Sequence, residues 1–106
     1  MSNFNWSASE KKIARRVYDE ALHAELAEVM AEFKEKAAAA ASPDDMWAVE
    51  EYLERKRREI DRKYDYRYSQ LTFVFGYLLR EGRIQEAQLT GLAEDRLSNI
   101  RLIASL

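Results

Sequence analysis

The sequence predicts an all-α protein: a long antiparallel helical hairpin with a short C-terminal helical head, dimerising through its long second helix. Three observations carry this expectation. Three Gly and one Pro in 106 residues leave few places to turn. Ala, Leu, Glu, Lys and Arg, which favour helix, dominate the composition. Apolar residues recur at three- and four-residue steps over long stretches. A chain this short buries a limited fraction of its apolar surface alone, so association would add burial. Residues 1–106 are expected to form one domain, with arms over about 7–70 and a head over about 71–106.

The elements follow in order. Ser7 with Glu10 fits a capping box, so a helix begins there. Ile13, Val17, Ala21, Leu22, Leu26, Met30 and Phe33 then lie along one stripe, with Lys12, Arg16, Asp19, Glu28 and Glu35 elsewhere on the surface. Ala37 to Ala41 has helix propensity but little to bury, and fraying into a turn is expected. Ser42 suits an N-cap, Pro43 the first helical position, and Asp44 and Asp45 the positive end of the dipole. No proline follows, and a single helix from Pro43 to Arg80 would span about 57 Å. Met46, Val49, Leu53, Ile60, Tyr64, Leu71, Val74 and Leu78 form its coiled-coil-like seam, with Arg57 and Arg67 at two of the positions. Gly82 suits the residue just past a helix end. Ile84 to Leu89 would make one short turn or helix, and Thr90 would cap a last helix carrying Leu92, Leu97, Ile100 and Ile103.

Composition excludes several functions. No Cys means no disulfide or thiolate chemistry. No stretch approaches the ~20 apolar residues of a membrane span, and Met1 to Glu10 lacks the pattern of an export signal, so a cytoplasmic protein without a transmembrane segment is expected. Net charge is −2, and the basic run Arg55 to Arg58 is interleaved with Glu50, Glu51, Glu54, Glu59, Asp61 and Asp65. Those carboxylates would repel phosphate, so no nucleic-acid partner is expected; pairs such as Glu51 with Arg55 and Glu54 with Arg58 explain the pattern. His23 is the only histidine, and the single Glu20-x-x-His23 motif lacks the second copy that di-metal bundles carry. No phosphate loop, triad or carboxylate cleft can be drawn. No enzymatic activity, metal or cofactor is expected.

Binding remains. Trp47 among charges near a helix start has the composition of a protein-binding hot spot, or else it covers the end of the first helix. Arg57 on the seam either finds a carboxylate, from Glu50, Glu54 or Asp61 on its own helix or from an acid on a second chain, or snorkels at the seam's edge. Phe73 and Phe75 lie about 200° apart on a helix, so one of them is a candidate for exposure.

The run Asp44, Asp45, Met46, Trp47, then Tyr52, Leu53, Lys56, Arg57, Glu59, Ile60, Asp61, Lys63, Tyr64, Asp65 and Arg67 resembles the fluorescence recovery protein family. The resemblance continues through Phe73, Val74, Phe75, Leu78, Leu79, Glu81, Gly82, Leu89, Thr90, Leu92, Ala93, Asp95 and Ile100, with an echo in Trp6, Ser7, Tyr18, Glu25 and Leu26. It implies an all-helical homodimer that binds the photoactivated orange carotenoid protein, speeds its return to the dark form and so ends photoprotective quenching at the phycobilisome. It further implies that Trp47, Glu51 and Arg57 belong to the dimer and partner-binding region and that Phe73 contacts the partner. Glu50 stands where the family often has His, Glu51 where it has Asp, Arg62 where Gly is common, and Asn99 where Lys is frequent. Glu50 and Asn99 make the surface more acidic, as a homologue tuned to another partner would be. A structural or nucleic-acid-binding helical dimer is the alternative of a different class.

Overall fold

The computed structural model describes residues 5–106, all helices and turns, with no strand among them. The leader reading bears in part on residues 1–4, which lie outside the described residues. Four α-helices occur: α1 (Ala8–Ala39), α2 (Pro43–Lys63), α3 (Leu71–Arg80) and α4 (Glu94–Ser105), with a 3-10 turn at Glu86–Leu89 between the last two.

The helix ends follow local chemistry. Ser7 Oγ accepts the Glu10 N–H at 3.2 Å and Glu10 Oε1 accepts the Ser7 N–H at 3.0 Å, the reciprocal capping box the sequence signals. Ser42 Oγ accepts the Asp45 N–H at 3.2 Å to start α2 at Pro43. α3 ends in a full Schellman motif: Arg83 N–H donates to the Leu78 carbonyl, Gly82 N–H to that of Leu79, and Gly82 has φ 76°. Thr90 caps the 3-10 turn instead of α4, donating its hydroxyl to the Ala87 carbonyl, and Ala93 occupies the N-cap of α4.

The helix expected from Pro43 to Arg80 is two helices. α2 stops at Lys63, and residues 64–70 are non-helical. The reason is a competing period. Tyr64, Tyr66 and Tyr68 stand at every second position, and in a helix Tyr66 would face away from the other two. The non-helical backbone lets all three join one aromatic cluster. Tyr18 on α1 meets Tyr64 and Tyr66 edge-on, at 5.5 and 4.8 Å between centroids, and Tyr68 lies 5.8 Å from Trp6. Arg15 sits 3.6 Å above the Tyr66 ring and Lys11 5.1 Å from that of Tyr68. Tyr64 is therefore buried in its own chain and is not a position on an α2 seam.

The described residues up to Ala21 form one compact unit with Tyr64–Leu106, and Leu22–Lys63 form a second. Residues 7–21, expected in an arm, thus belong with the head. In the first unit Leu71, Phe75, Leu78, Leu89, Ile100 and Val17 are fully buried. α3 and α4 approach closely because position 76 is glycine. A Cβ there would lie 2.6 Å from the Ile103 Cβ and closer still to its Cγ2. Beneath α4, Arg96 Nε donates to Glu10 Oε2 at 3.0 Å in an ion pair whose residues are 8% and 6% exposed. In the second unit Lys63 Nζ donates to Glu25 at 2.9 Å, and Lys36 lies 5.0 Å from the Tyr52 ring. From the first pair to the second, eleven steps forward along α1 match eleven steps back along α2, an antiparallel order. The stripe read along α1 is buried at Val17 and Ala21 but exposed at Leu26 and Met30.

Two outcomes follow from this packing. Gly76→Ala gains helix propensity but drives a methyl into the branched carbon of Ile103, and overpacking of about 1–3 kcal/mol wins. Its Tm is expected to fall by about 4 °C or more in a calorimetric melt. Burial works against the Glu10 charge, but bonds from Ser7, Ala93 and Arg96 together with the Arg96 charge hold its carboxyl below the usual range. Because the folded value is lowered, its stabilisation is complete above the ordinary carboxylate range and is lost as pH falls through the depressed value. In urea melts from about pH 7 to about pH 3, Arg96→Met is expected to start about 3 kcal/mol below the parent and to lose less on acidification.

Candidate protein-interaction surfaces

α2 has two unlike sides. Tyr52 and Ile60 are buried, Val49, Leu53, Lys56 and Lys63 are half-buried, and at about 100° per residue these share one side of the helix. Burial is the main influence raising the Tyr52 hydroxyl above its ordinary pKa, and Glu32 adds to it. Around from that side Met46, Arg57, Glu50, Glu54 and Trp47 follow one another within roughly a third of a turn. All five are exposed, Trp47 to 53%. Glu51 lies one turn beyond Trp47 and is exposed as well. The helix thus places Trp47, Glu50, Glu51 and Arg57 on one open face. Of the seam residues, Met46 is open, Val49 and Leu53 are half-covered, and Ile60 and Tyr64 are covered within the chain.

The charges on this helix pair within one turn. Arg58 donates to Glu54 at 2.8 Å, and Glu59 lies 3.9 Å from Arg55 and 3.5 Å from Lys56. Arg55 therefore pairs forward with Glu59 instead of back with Glu51. Among the described residues neither Arg57 nor Glu50 nor Glu51 forms an ion pair, and Glu54, one candidate partner for Arg57, is engaged by Arg58. At the start of the helix the Asp45 carboxyl is held below its usual range, chiefly by the Ala41 N–H at 2.9 Å.

Phe73 stands on α3 in the other unit. Phe75 is 0% exposed and Phe73 44%, so the two rings divide between core and surface. Phe73, Thr72, Asn99, Leu102 and Ile103 line a shallow groove of about 190 Å³ between α3 and α4. Leu102 on its rim is exposed. Both candidate surfaces pair an exposed aromatic ring with aliphatic neighbours and a few polar groups, as protein contacts do. His23 is exposed, and no group of three or more His, Asp or Glu that could hold a metal occurs among the described residues. No helix among them is long and apolar enough to cross a membrane.

Over residues 6–104 the chain matches the family described as photoprotection regulator fluorescence recovery protein. The chain belongs to this family. It is 40% identical over 101 residues to the fluorescence recovery protein of Synechocystis sp., covering 95% of this chain and 93% of that protein. The structure of the Fremyella diplosiphon fluorescence recovery protein is similar at a TM-score of 0.90 and 32% identity, over 96% of this chain and 100% of that one. That of the Synechocystis protein is similar at 0.89 and 40% identity, over 95% and 99%. The family is one of photoprotection regulators, and its all-helical fold is the fold found here.

The sequence did not reveal the buried Arg96, which reads as an ordinary surface arginine. Its partner Glu10 read only as half of a capping box. The two lie 86 positions apart, and no local pattern joins them.

Because Trp47 and Arg57 are exposed on α2, Trp47→Ala and Arg57→Leu are expected to melt within about 0.5 kcal/mol of the parent at high dilution. Circular dichroism checks this and clears both variants for binding assays.

Proposed function

We propose that this chain is a non-enzymatic regulator that binds the photoactivated orange carotenoid protein and accelerates its return to the dark form, ending quenching at the phycobilisome. The observation that carries the reading is the α2 face of Met46, Trp47, Glu50 and Arg57, exposed in a chain that belongs to a family of photoprotection regulators. Trp47, Glu51, Arg57 and Phe73 form the candidate contact with the partner. Acceleration requires no bond-making. A regulator that holds the barrier of the partner's relaxation more tightly than its starting state speeds the return, about tenfold for each 1.4 kcal/mol of difference.

The regulator acts as a homodimer in this reading, with residues 22–63 as a helical hairpin that meets its copy through α2. Pairing two α2 helices antiparallel about an axis beside Leu53 sets Glu50 of one against Arg57 of the other, and Trp47 against the Ile60 region. The face is then complementary to itself, as a twofold interface must be. It also gives Arg57 the carboxylate it lacks in the single chain. A different partner remains the second reading, favoured by Glu50 and Asn99, which make the two surfaces more acidic than those of the family pattern.

The test follows the absorbance of photoactivated orange carotenoid protein in the dark, with this chain added in stoichiometric amount and its mass fixed by light scattering. Faster recovery is expected with the parent dimer. Trp47→Ala and Arg57→Leu are expected to lose most of the acceleration, since hot-spot truncations cost about 2 kcal/mol or more. A folded dimer without effect assigns the surface to another partner, and a strictly monomeric mass at tens of micromolar removes the dimer from the account.

A further inference from the structure

Glu10 uses its two oxygens for two helices. Oε1 accepts the Ser7 N–H at 3.0 Å and closes the N-terminus of α1. Oε2 accepts the Ala93 N–H at 2.9 Å and Arg96 Nε–H at 3.0 Å. Ala93 is the N-cap of α4 and brings no side-chain cap of its own. Asp95 accepts the Arg96 N–H at 2.9 Å within the first turn, and the Ala93 amide, which that turn leaves over, is taken by a carboxylate from α1. Arg96 completes the tie by donating Nη2–H to the Asn5 carbonyl at 2.6 Å, with its guanidinium 4.1 Å from the Trp6 ring centre.

The far half of α4 rests on the glycine of α3. The Cβ position of Gly76 would meet Ile103, and the Ile100 carbonyl lies 3.3 Å from it. α4 is thus held at its first turn by Glu10 and along its far half by Gly76, by Arg80 Nη2–H donating to the Ile103 carbonyl at 3.1 Å and by the exposed pair of Arg101 with Glu86. Asn99 and Leu102, on the same helix, complete the groove with Thr72 and Phe73. Freeing the first turn leaves α4 to pivot on the Gly76 contact, and a pivot there changes the groove beside Phe73. Packed helices shift as bodies, so a lost bond at one end is felt at the other.

We propose that Glu10, which is buried and does not line the groove, is the positioning residue that sets the Phe73 groove by holding the N-terminus of α4. The inference rests on the reading of Phe73 as a partner contact and adds to it a residue that no surface inspection would select.

Glu10→Gln separates the two tasks of the side chain. Its single amide oxygen can still accept the Ser7 N–H and close α1, but the second acceptor becomes an NH2 group facing the Arg96 guanidinium. Two readouts are made on the full chain. Hydrogen exchange is expected to leave the Lys11 amide, bonded to the Ser7 carbonyl, protected as in the parent, while the Leu97 amide, bonded to the Ala93 carbonyl, exchanges about tenfold faster. In the dark-recovery assay the concentration giving half-maximal acceleration is expected to rise about fivefold, with the rate at saturation unchanged. Asp19→Asn, which alters an exposed contact to Arg15 on α1, is expected to behave as the parent in both.

Parental exchange at Leu97 overturns the proposal, as does faster exchange with an unchanged half-maximal concentration. If the parent itself does not accelerate recovery, the proposed function fails. The positioning role is then decided by exchange together with the ring proton shifts of Phe73, which must move in Glu10→Gln for it to stand. If Glu10→Gln lacks helical circular dichroism at working temperature, Arg96→Gln replaces it under the same criteria.

Discussion

The fold turns on one carboxylate. Glu10 lies where two helix starts converge, and each start leaves amides that nothing else in the vicinity satisfies. A buried charge is costly by itself. Here it is offset by two backbone amides and a guanidinium, and the guanidinium is in turn bonded to the Asn5 carbonyl and stacked near Trp6. A chain of this length has little apolar area to bury, and a fully bonded polar knot fixes a unique arrangement that apolar contact alone leaves loose. Residues from the start of α1 and from α4, far apart in sequence, become one unit by this means.

The same unit shows why some features were legible in the sequence and others were not. The capping box at Ser7 and Glu10, the start at Ser42 and Pro43 and the stop at Gly82 all depend on residues within a few positions of each other, and all three are found where the sequence places them. The division of Phe73 and Phe75 between surface and core follows from helical geometry in the same way. The segment 64–70 defeated that logic. It continues the helical spacing of α2 while carrying tyrosines at every second position, and the choice between the two periods is made by Trp6, Arg15 and Tyr18, some fifty residues earlier. Glu10 with Arg96 fails to show for the same reason. Trp47, Glu50, Glu51 and Arg57 were legible as one helical face because they sit within a few turns of α2, whereas Tyr64 was assigned to that face only through the helix that does not continue.

The two candidate surfaces differ in how they are built. The α2 face is a row of exposed side chains on a continuous helix, its geometry given by the backbone alone. The Phe73 groove lies between α3 and α4, whose close approach is set at Gly76. Truncating a side chain on the first removes that side chain and little more. A change in the second can arise from residues that never meet solvent, which is why sequence inspection of exposed positions captures the first surface more fully.

The charges of α2 are paired in the open, whereas those that anchor the head are not. Glu54 with Arg58 and Glu59 with Arg55 lie at solvent-exposed positions, where mobile ions at ordinary ionic strength screen charges within about 8 Å. Arg15 over Tyr66 and Arg96 beside Trp6 draw on ring quadrupoles at close range, and the Glu10 pair is shielded by burial. Ionic strength is therefore a selective handle on this molecule. Added salt loosens the exposed pairs of α2, and those on the surface of the head such as Arg101 with Glu86, and leaves the Glu10 tether almost untouched.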